Sequence, residues 1–347
     1  MKDVRSKYHC QFWGGLLSVF FWLILTGCAQ PNVDNTQELT PLQIGITSTY
    51  QGEAATYVAL DRGFFQKNGL DVTLKSNPSG KVSLKDLFDG TVQIAHVAET
   101  EVLYSLLDTS YYSGESAPSF QIFADMVYSN KIQKIIARKD HGISEPVDMV
   151  GKKVALLEGT QLDYFLDSFL LEHQISNDEF ETINMDPKEQ VEAIKNGEID
   201  VAVLWEPYAS FAQNELGENA TYLKTDLTYS TLWLSTTHAS YAESHPEVLR
   251  SYLRSIKAAQ DYIKRNPDYT QELLAQRTGT PVEVVKSLWS EIDFELSLSE
   301  RMLTLLEDQG RWMIRNNYAD RTIEDMQQFV NFRPMQDVHP RGITVVR

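Results

Sequence analysis

The apolar positions change their period many times along the chain. Leu42–Thr47 (LQIGIT) alternates, the period of a half-buried strand. Gly52–Gly69 (GEAATYVALDRGFFQKNG) carries a helical stripe that Gly69 stops, and Leu70–Lys75 (LDVTLK) alternates again. After a turn at NPSG, KVSLKDLFDG predicts a helix, VQIAHV a strand, AETEVLYSLL a helix, and QIFADMV and IQKIIAR two strands. The theme then repeats. Residues 153–157 predict a strand, and Thr160 opens a helix with Leu162, Phe165, Leu166, Phe169 and Leu170 on one face. FETINM, EIDVAVLW and Ser230–Thr237 predict further strands. Helices fall at PKEQVEAIKNG, between Pro187 and Gly197, and at PYASFAQNELG. From residue 246 to 330 the pattern is almost entirely helical, led by the stripe Val248, Leu249, Tyr252, Leu253, Ile256, Ala259, Ile263. This βα alternation predicts an α/β protein with largely parallel sheets.

Length adds a division. At 347 residues the chain exceeds what one hydrophobic core usually holds, so two lobes are expected. The formal charge of −17 argues against a nucleic-acid partner, which needs basic patches to neutralise phosphates. The two cysteines, Cys10 and Cys28, leave the rest of the chain without disulfides or cysteine metal ligands.

The first residues have a separate logic. Lys2, Arg5 and Lys7 precede the apolar run Gly14–Leu25, whose 12 residues suit an export signal rather than a membrane span. Leu25-Thr26-Gly27-Cys28 then resembles the bacterial lipobox, with cleavage before Cys28 and lipid (palmitate-type acyl chains) on its sulfur. Such a cut removes residues 1–27 and takes 31 basic and 48 acidic residues to 28 and 47, a net charge of −19. Residues 28–40 read as lipid anchor plus polar tether, with a reach of about 20 Å.

Searches for catalytic motifs find little. There is no HExxH, GxSxG or GxGxxG, and PSGK (Pro78–Lys81) lacks the upstream Gly and the Ser/Thr of a P-loop. His96, within VQIAHV, reads as a core histidine. What recurs is a strand ending in small or polar residues that open a helix. It occurs at Ser48-Thr49-Tyr50, Pro78-Ser79-Gly80, Ala98-Glu99-Thr100, Gly159-Thr160-Gln161 and Trp205-Glu206-Pro207. Carboxyl ends of strands in open α/β sheets face a ligand crevice, and helix N-termini aim N–H groups into it. Capping explains each junction singly: Thr160 and Asp163 have capping-box spacing, and Glu99 and Glu206 oppose helix dipoles. Five together favour a cleft in which Gly80 and Gly159 let backbone approach a ligand.

GFFQKNGLDVTLKSNPSGKVSLKDLFDGTVQIAHVAETE, GKKVALLEGTQLDYFLDSFL and AIKNGEIDVAVLWEPYA resemble the nitrate/sulfonate/taurine and thiamine-pyrimidine class of ABC-transporter substrate-binding proteins, the SsuA/THI5-like class. The likeness runs from about Leu42 to about Lys264. It implies a two-lobed periplasmic-binding-protein type II fold with a helical C-terminal extension. Lobe 1 would be residues 41–130 plus 228–347 and lobe 2 residues 131–227, with crossings near IQKIIAR and YSTLWLS. The implied pocket comprises Ser48, Thr49, Tyr50, Ser79, Gly80, Glu99, Gly159, Thr160, Trp205 and Glu206. The implied role is capture of a small solute for an ABC permease and ATPase, by a monomer without cofactor or catalysis, lipid-anchored and facing the periplasm or cell exterior.

The junctions also speak to the solute. They offer Glu99, Asp163 and Glu206, with Lys81 as the nearby base. An ionised carboxylate about 4 Å from an anion costs roughly 4 kcal/mol at an effective dielectric of 20. Trp205, Tyr50 and Tyr164 suit a ring or a cation. A neutral or cationic heteroaromatic solute, such as a thiamine-pathway pyrimidine, is therefore expected, with nitrate, alkanesulfonate or taurine as the alternative. Pyrimidine synthases on this fold carry a cysteine-rich motif, which the chain after Cys28 lacks. A sensory lipoprotein without transport is a second rival.

Overall fold

The computed structural model describes residues 38–345 apart from 109, 112–118, 227–228, 320–321 and 323. The export signal, Cys28 and most of the tether lie outside the described residues.

Eleven strands can be followed among the described residues. They are β1 (Thr40–Thr47), β2 (Leu70–Asn77), β3 (Ile94–Ala98), β4 (Phe120–Ser129), β5 (Gln133–Arg138), β6 (Lys153–Leu156), β7 (Glu181–Asn184), β8 (Val201–Trp205), β9 (Ala220–Tyr222), β10 (Thr231–His238) and β11 (Ile292–Ser297). They form two sheets, ordered β11-β4-β10-β3-β1-β2 and β7-β6-β8-β5-β9. Each sheet has its own apolar core. One is built around Ile44, Ile94, Phe123, Leu234 and Tyr252, the other around Ile136, Val154, Phe169 and Val203. The chain passes from the first lobe to the second at residues 130–132 and returns between β9 and β10.

The expectation of largely parallel sheets needs correction. Strands β2, β1 and β3 are parallel, as are β7, β6 and β8, but β10 runs antiparallel to both β3 and β4, and β5 antiparallel to β8 and β9. The reversed strands β5 and β10 are the ones that receive the chain from the other lobe. A chain arriving across the cleft enters its new sheet at the end where the parallel strands finish, so it must run against them.

Two helical expectations also change. The Gly52–Gly69 segment is broken at Gly63 (φ +66°), giving Ala54–Asp61 and Phe64–Lys67. The region 246–330 contains β11, where Ile292, Phe294 and Leu296 are buried while Asp293 and Glu295 are exposed. That alternation is a strand period, and β11 edges the first sheet against β4. The Pro246–Arg265 helix buries the stripe expected of it.

Candidate functional site

The two lobes enclose a small cavity at the carboxyl ends of β1 and β8. Thr47, Tyr50, Gly80, Glu101 and Trp233 line it from the first lobe, and Gln161 and Trp205 from the second. Ile132 and Thr231 close it where the chain passes between lobes. The water-accessible space is about 10 Å³, room for roughly one water molecule, so an organic solute can enter only if the lobes part.

Its walls carry polar atoms that the protein leaves without partners. Thr47 Oγ1, Tyr50 OH, Glu101 Oε2 and Gln161 Oε1 are buried and make no hydrogen bond, and both amide atoms of the neighbouring Gln51 share that condition. Each such atom costs about 1–3 kcal/mol when left unpaired. Concentrating them at an interface between lobes therefore points to a ligand that satisfies them. No Lys or Arg lines the cavity among the described residues. Burial, reinforced by the nearby Glu99, pushes the Glu101 carboxyl up to about 8. Burial, with Glu99 again adding to it, also pushes the Tyr50 phenol well above its usual range.

A polar network beneath the floor holds the aromatic wall. Glu53 Oε1 accepts from Trp233 Nε1 (3.0 Å) and Thr47 N (3.2 Å), while Oε2 accepts from Thr56 Oγ1 and meets His96 Nδ1 at 2.8 Å. His96 Nε2 meets Tyr252 OH at 2.7 Å, and that hydroxyl contacts Ser235 Oγ at 2.8 Å. Trp233 in turn packs edge-on against Tyr50, their ring centroids 4.7 Å apart. His96 is thus a satisfied core histidine, as its apolar strand suggested.

The sequence-derived residues divide. Tyr50, Gly80 and Trp205 line the cavity. Glu99 does not: Tyr229 OH, Leu232 N (2.9 Å) and Gln309 Nε2 (3.1 Å) donate to its carboxylate, which ties the helix Glu99–Leu107 to β10 and to the helix Glu300–Arg315. Glu206 faces a different hollow beside Lys134, and its Oε2 accepts from Ser210 N at 3.0 Å. Thr160 is a helix cap. Its Oγ1 accepts from Leu162 N, and Asp163 Oδ2 accepts from Thr160 N. Ser79 is buried at the start of the helix Gly80–Phe88, where its carbonyl accepts from Ser83 N.

Gly80, in the cavity wall, and Gly159 both sit tightly against their neighbours. A Cβ on Gly80 would sit 2.9 Å from Val97 Cα, so glycine there lets helix and strand meet. Gly159 has φ +73° and faces the Tyr111 ring.

The remaining junction residues help join the lobes. The Ser48 carbonyl accepts from Tyr57 OH (3.0 Å), which fixes the loop in which Thr49 Oγ1 donates to Tyr208 OH (3.3 Å) of the other lobe. Further links across the lobes are Lys81 Nζ to the Glu158 carbonyl (3.0 Å), Tyr104 OH to Asp163 Oδ2 (2.9 Å), Tyr111 OH to the Gly159 carbonyl, and Trp312 Nε1 to Asp167 Oδ2 (2.8 Å).

Sequence reasoning missed Thr47, Glu101, Ile132, Gln161, Thr231 and Trp233. Glu101 and Gln161 lay one or two places beyond residues that were chosen, and only the helix phase separates them. Trp233 carried a legible signal, an aromatic on the strand that returns between the lobes.

Comparison with known proteins agrees with this architecture. The NMT1/THI5 like family model matches residues 52–270. The taurine-binding periplasmic protein of Escherichia coli K12 is 27% identical over 234 residues, 65% of this chain and 68% of that protein. The alkanesulfonate-binding protein SsuA from Xanthomonas axonopodis pv. citri, solved bound to MOPS, superposes with a TM-score of 0.72 at 16% identity, covering 85% of this chain and 99% of that one. The desulfurization enzyme DSZB superposes at 0.63 with 14% identity, covering 87% and 99%, so the fold is shared by a binding protein and an enzyme. With well over half of its length matched by the family model, the chain belongs to the NMT1/THI5-like family and has the two-lobed fold of ABC-transporter substrate-binding proteins.

Proposed function

We propose that this protein is an extracytoplasmic solute-binding lipoprotein that captures a small nitrogen-bearing solute between its lobes and delivers it to an ABC permease and ATPase. The single observation that carries the solute class is the set of unpartnered polar atoms around the cavity, with Glu101 among them and no basic side chain. A neutral or cationic heterocycle of the pyrimidine type meets those requirements: its ring faces Trp205, Tyr50 and Trp233, and its amino or ring nitrogen faces Glu101. Among the described residues the cavity wall holds no Ser, Cys, His or Lys, and binding without catalysis is the reading. Cys28 would carry the lipid that keeps a monomeric, acidic protein beside its permease on the tether of residues 28–40.

A second reading, an aminosulfonate, is favoured by the taurine-binding relative, because its ammonium group would meet the same carboxyl. Thermal denaturation separates the two. A 4-amino-5-hydroxymethylpyrimidine at 100 times its Kd should stabilise the native state by about 2.7 kcal/mol, since it binds only that state. Trp205→Ala should remove the gain. A response to taurine alone supports the second reading, and a response to nitrate or ethanesulfonate alone overturns both.

A further inference from the structure

Glu101 is the one carboxyl group among the described residues that line the cavity, and one of its oxygens is without a partner. Glu101 is 2% exposed, and its Oε2 has no partner. It stands in the first turn of the helix Glu99–Leu107 and lines the cavity together with Tyr50 and Trp233. The charged and titratable groups around it are few. Glu99, on the same helix, and Asp163, from the other lobe, disfavour a second negative charge, while Lys81, from the helix Gly80–Phe88, favours one. Lys81 is turned towards the Glu158 carbonyl, and Asp163 towards Tyr104 and the turn at Gly159. Tyr229, which also lies near, directs its hydroxyl to Glu99. Among the described residues no counter-ion touches Glu101 Oε2.

We propose that Glu101 selects the solute by charge: its carboxyl binds the solute's cationic nitrogen through Oε2 and gives its proton to bulk water, so capture releases one proton. The inference rests on the nitrogen-bearing reading above and adds the residue that enforces it. Before capture the neutral acid is the stable form, because a lone carboxylate in a buried site has nothing to offset its lost hydration. A cation supplies that offset, and the O–H bond breaks as the ion pair forms. An anion gives the carboxylate no such partner. Neighbouring Glu99 is already held by three donors and does not take part.

The sign of the pH dependence follows. For a permanently charged solute, affinity falls about tenfold for each pH unit below the carboxyl's value in the free protein, and is flat above it. The purified protein should be titrated calorimetrically with thiamine, a permanent cation, and with taurine, a zwitterion. Buffers of low and high ionisation enthalpy at pH 7 count the protons released. Release of about one proton with either probe, abolished together with the pH dependence in E101Q, is the expected result. Binding without proton release, and unchanged in E101Q, overturns the role of Glu101 but leaves the nitrogen-bearing solute standing. Binding of ethanesulfonate or nitrate, with no binding of thiamine or taurine, overturns the solute reading itself. Carbon-13 NMR of glutamate carboxyls checks the free protein independently of any ligand. One resonance, absent from E101Q, should titrate above pH 7; its titration near pH 4.5 overturns the proposal even if no probe binds.

Discussion

Two carboxylates two residues apart, Glu99 and Glu101, have opposite surroundings. Glu99 receives hydrogen bonds from a phenol, a backbone N–H and an amide, whereas Glu101, in the cavity wall, has a buried oxygen without a partner. Asp125 offers a cleaner test of what burial does to such groups, because it is not a cavity wall. It is 1% exposed, and burial pushes its carboxyl up to about 8 although Val127 N donates to it. In the native state it therefore holds its proton at pH values where the unfolded chain has lost it. Stability is complete below about pH 4 and declines as pH rises towards 8, by at most roughly 1.4 kcal/mol per unit. Asp125→Asn should accordingly match the wild type at pH 4 and surpass it progressively up to pH 8. Melting temperatures measured across that range check this, and parallel curves for the two proteins would refute it.

At the scale of elements, the junctions between strand and helix hold both the cap and the wall of the cavity. Thr160 caps the helix Gln161–His173, and the next residue, Gln161, faces the cavity. Gly80 opens the helix Gly80–Phe88 so close to β3 that any side chain meets backbone: Val97 Cα at 2.9 Å and Ala98 N at 3.3 Å. Gly80→Ala should move this helix off the sheet, with a loss of about 1–3 kcal/mol. Urea denaturation measures the loss, and a variant as stable as the wild type would show that the helix yields freely. These junctions were legible because glycine and capping residues mark where strands stop. Which of the first-turn side chains points inward was not legible, since helix phase depends on the sheet against which the helix packs.

For the whole molecule, side-chain hydrogen bonds help to hold the lobes together. Tyr104 OH to Asp163 and Trp312 Nε1 to Asp167 both cross between lobes away from the cavity wall. Phenylalanine keeps the ring of Tyr104 and an aromatic ring at Trp312, and removes both donors. At about 1 kcal/mol for each lost bond, the double variant should shift the balance between joined and parted lobes about 30-fold. Small-angle scattering should then show a larger radius of gyration for Y104F/W312F than for the wild type. An unchanged radius would show that these bonds do not hold the lobes.

The sequence by itself determined the elements and their grouping. Period-2 runs made the strands, Gly69 and Gly197 stopped helices, and family-like segments such as NGLDV and WEPY disclosed the two-lobed fold. Local periodicity suffices there because burial of one face is decided within a few residues. The tertiary structure alone decided the reversal of β5 and β10, the strand at Ile292–Ser297, and the exchange of Glu99 for Glu101 at the cavity. Each depends on a neighbour distant in the chain: the lobe from which a strand arrives, the edge left free by β4, or the donors that β10 and the C-terminal helix bring to one carboxylate. A side chain's chemistry is written in the sequence, whereas its hydrogen-bond partners are set by contacts that only the folded chain makes.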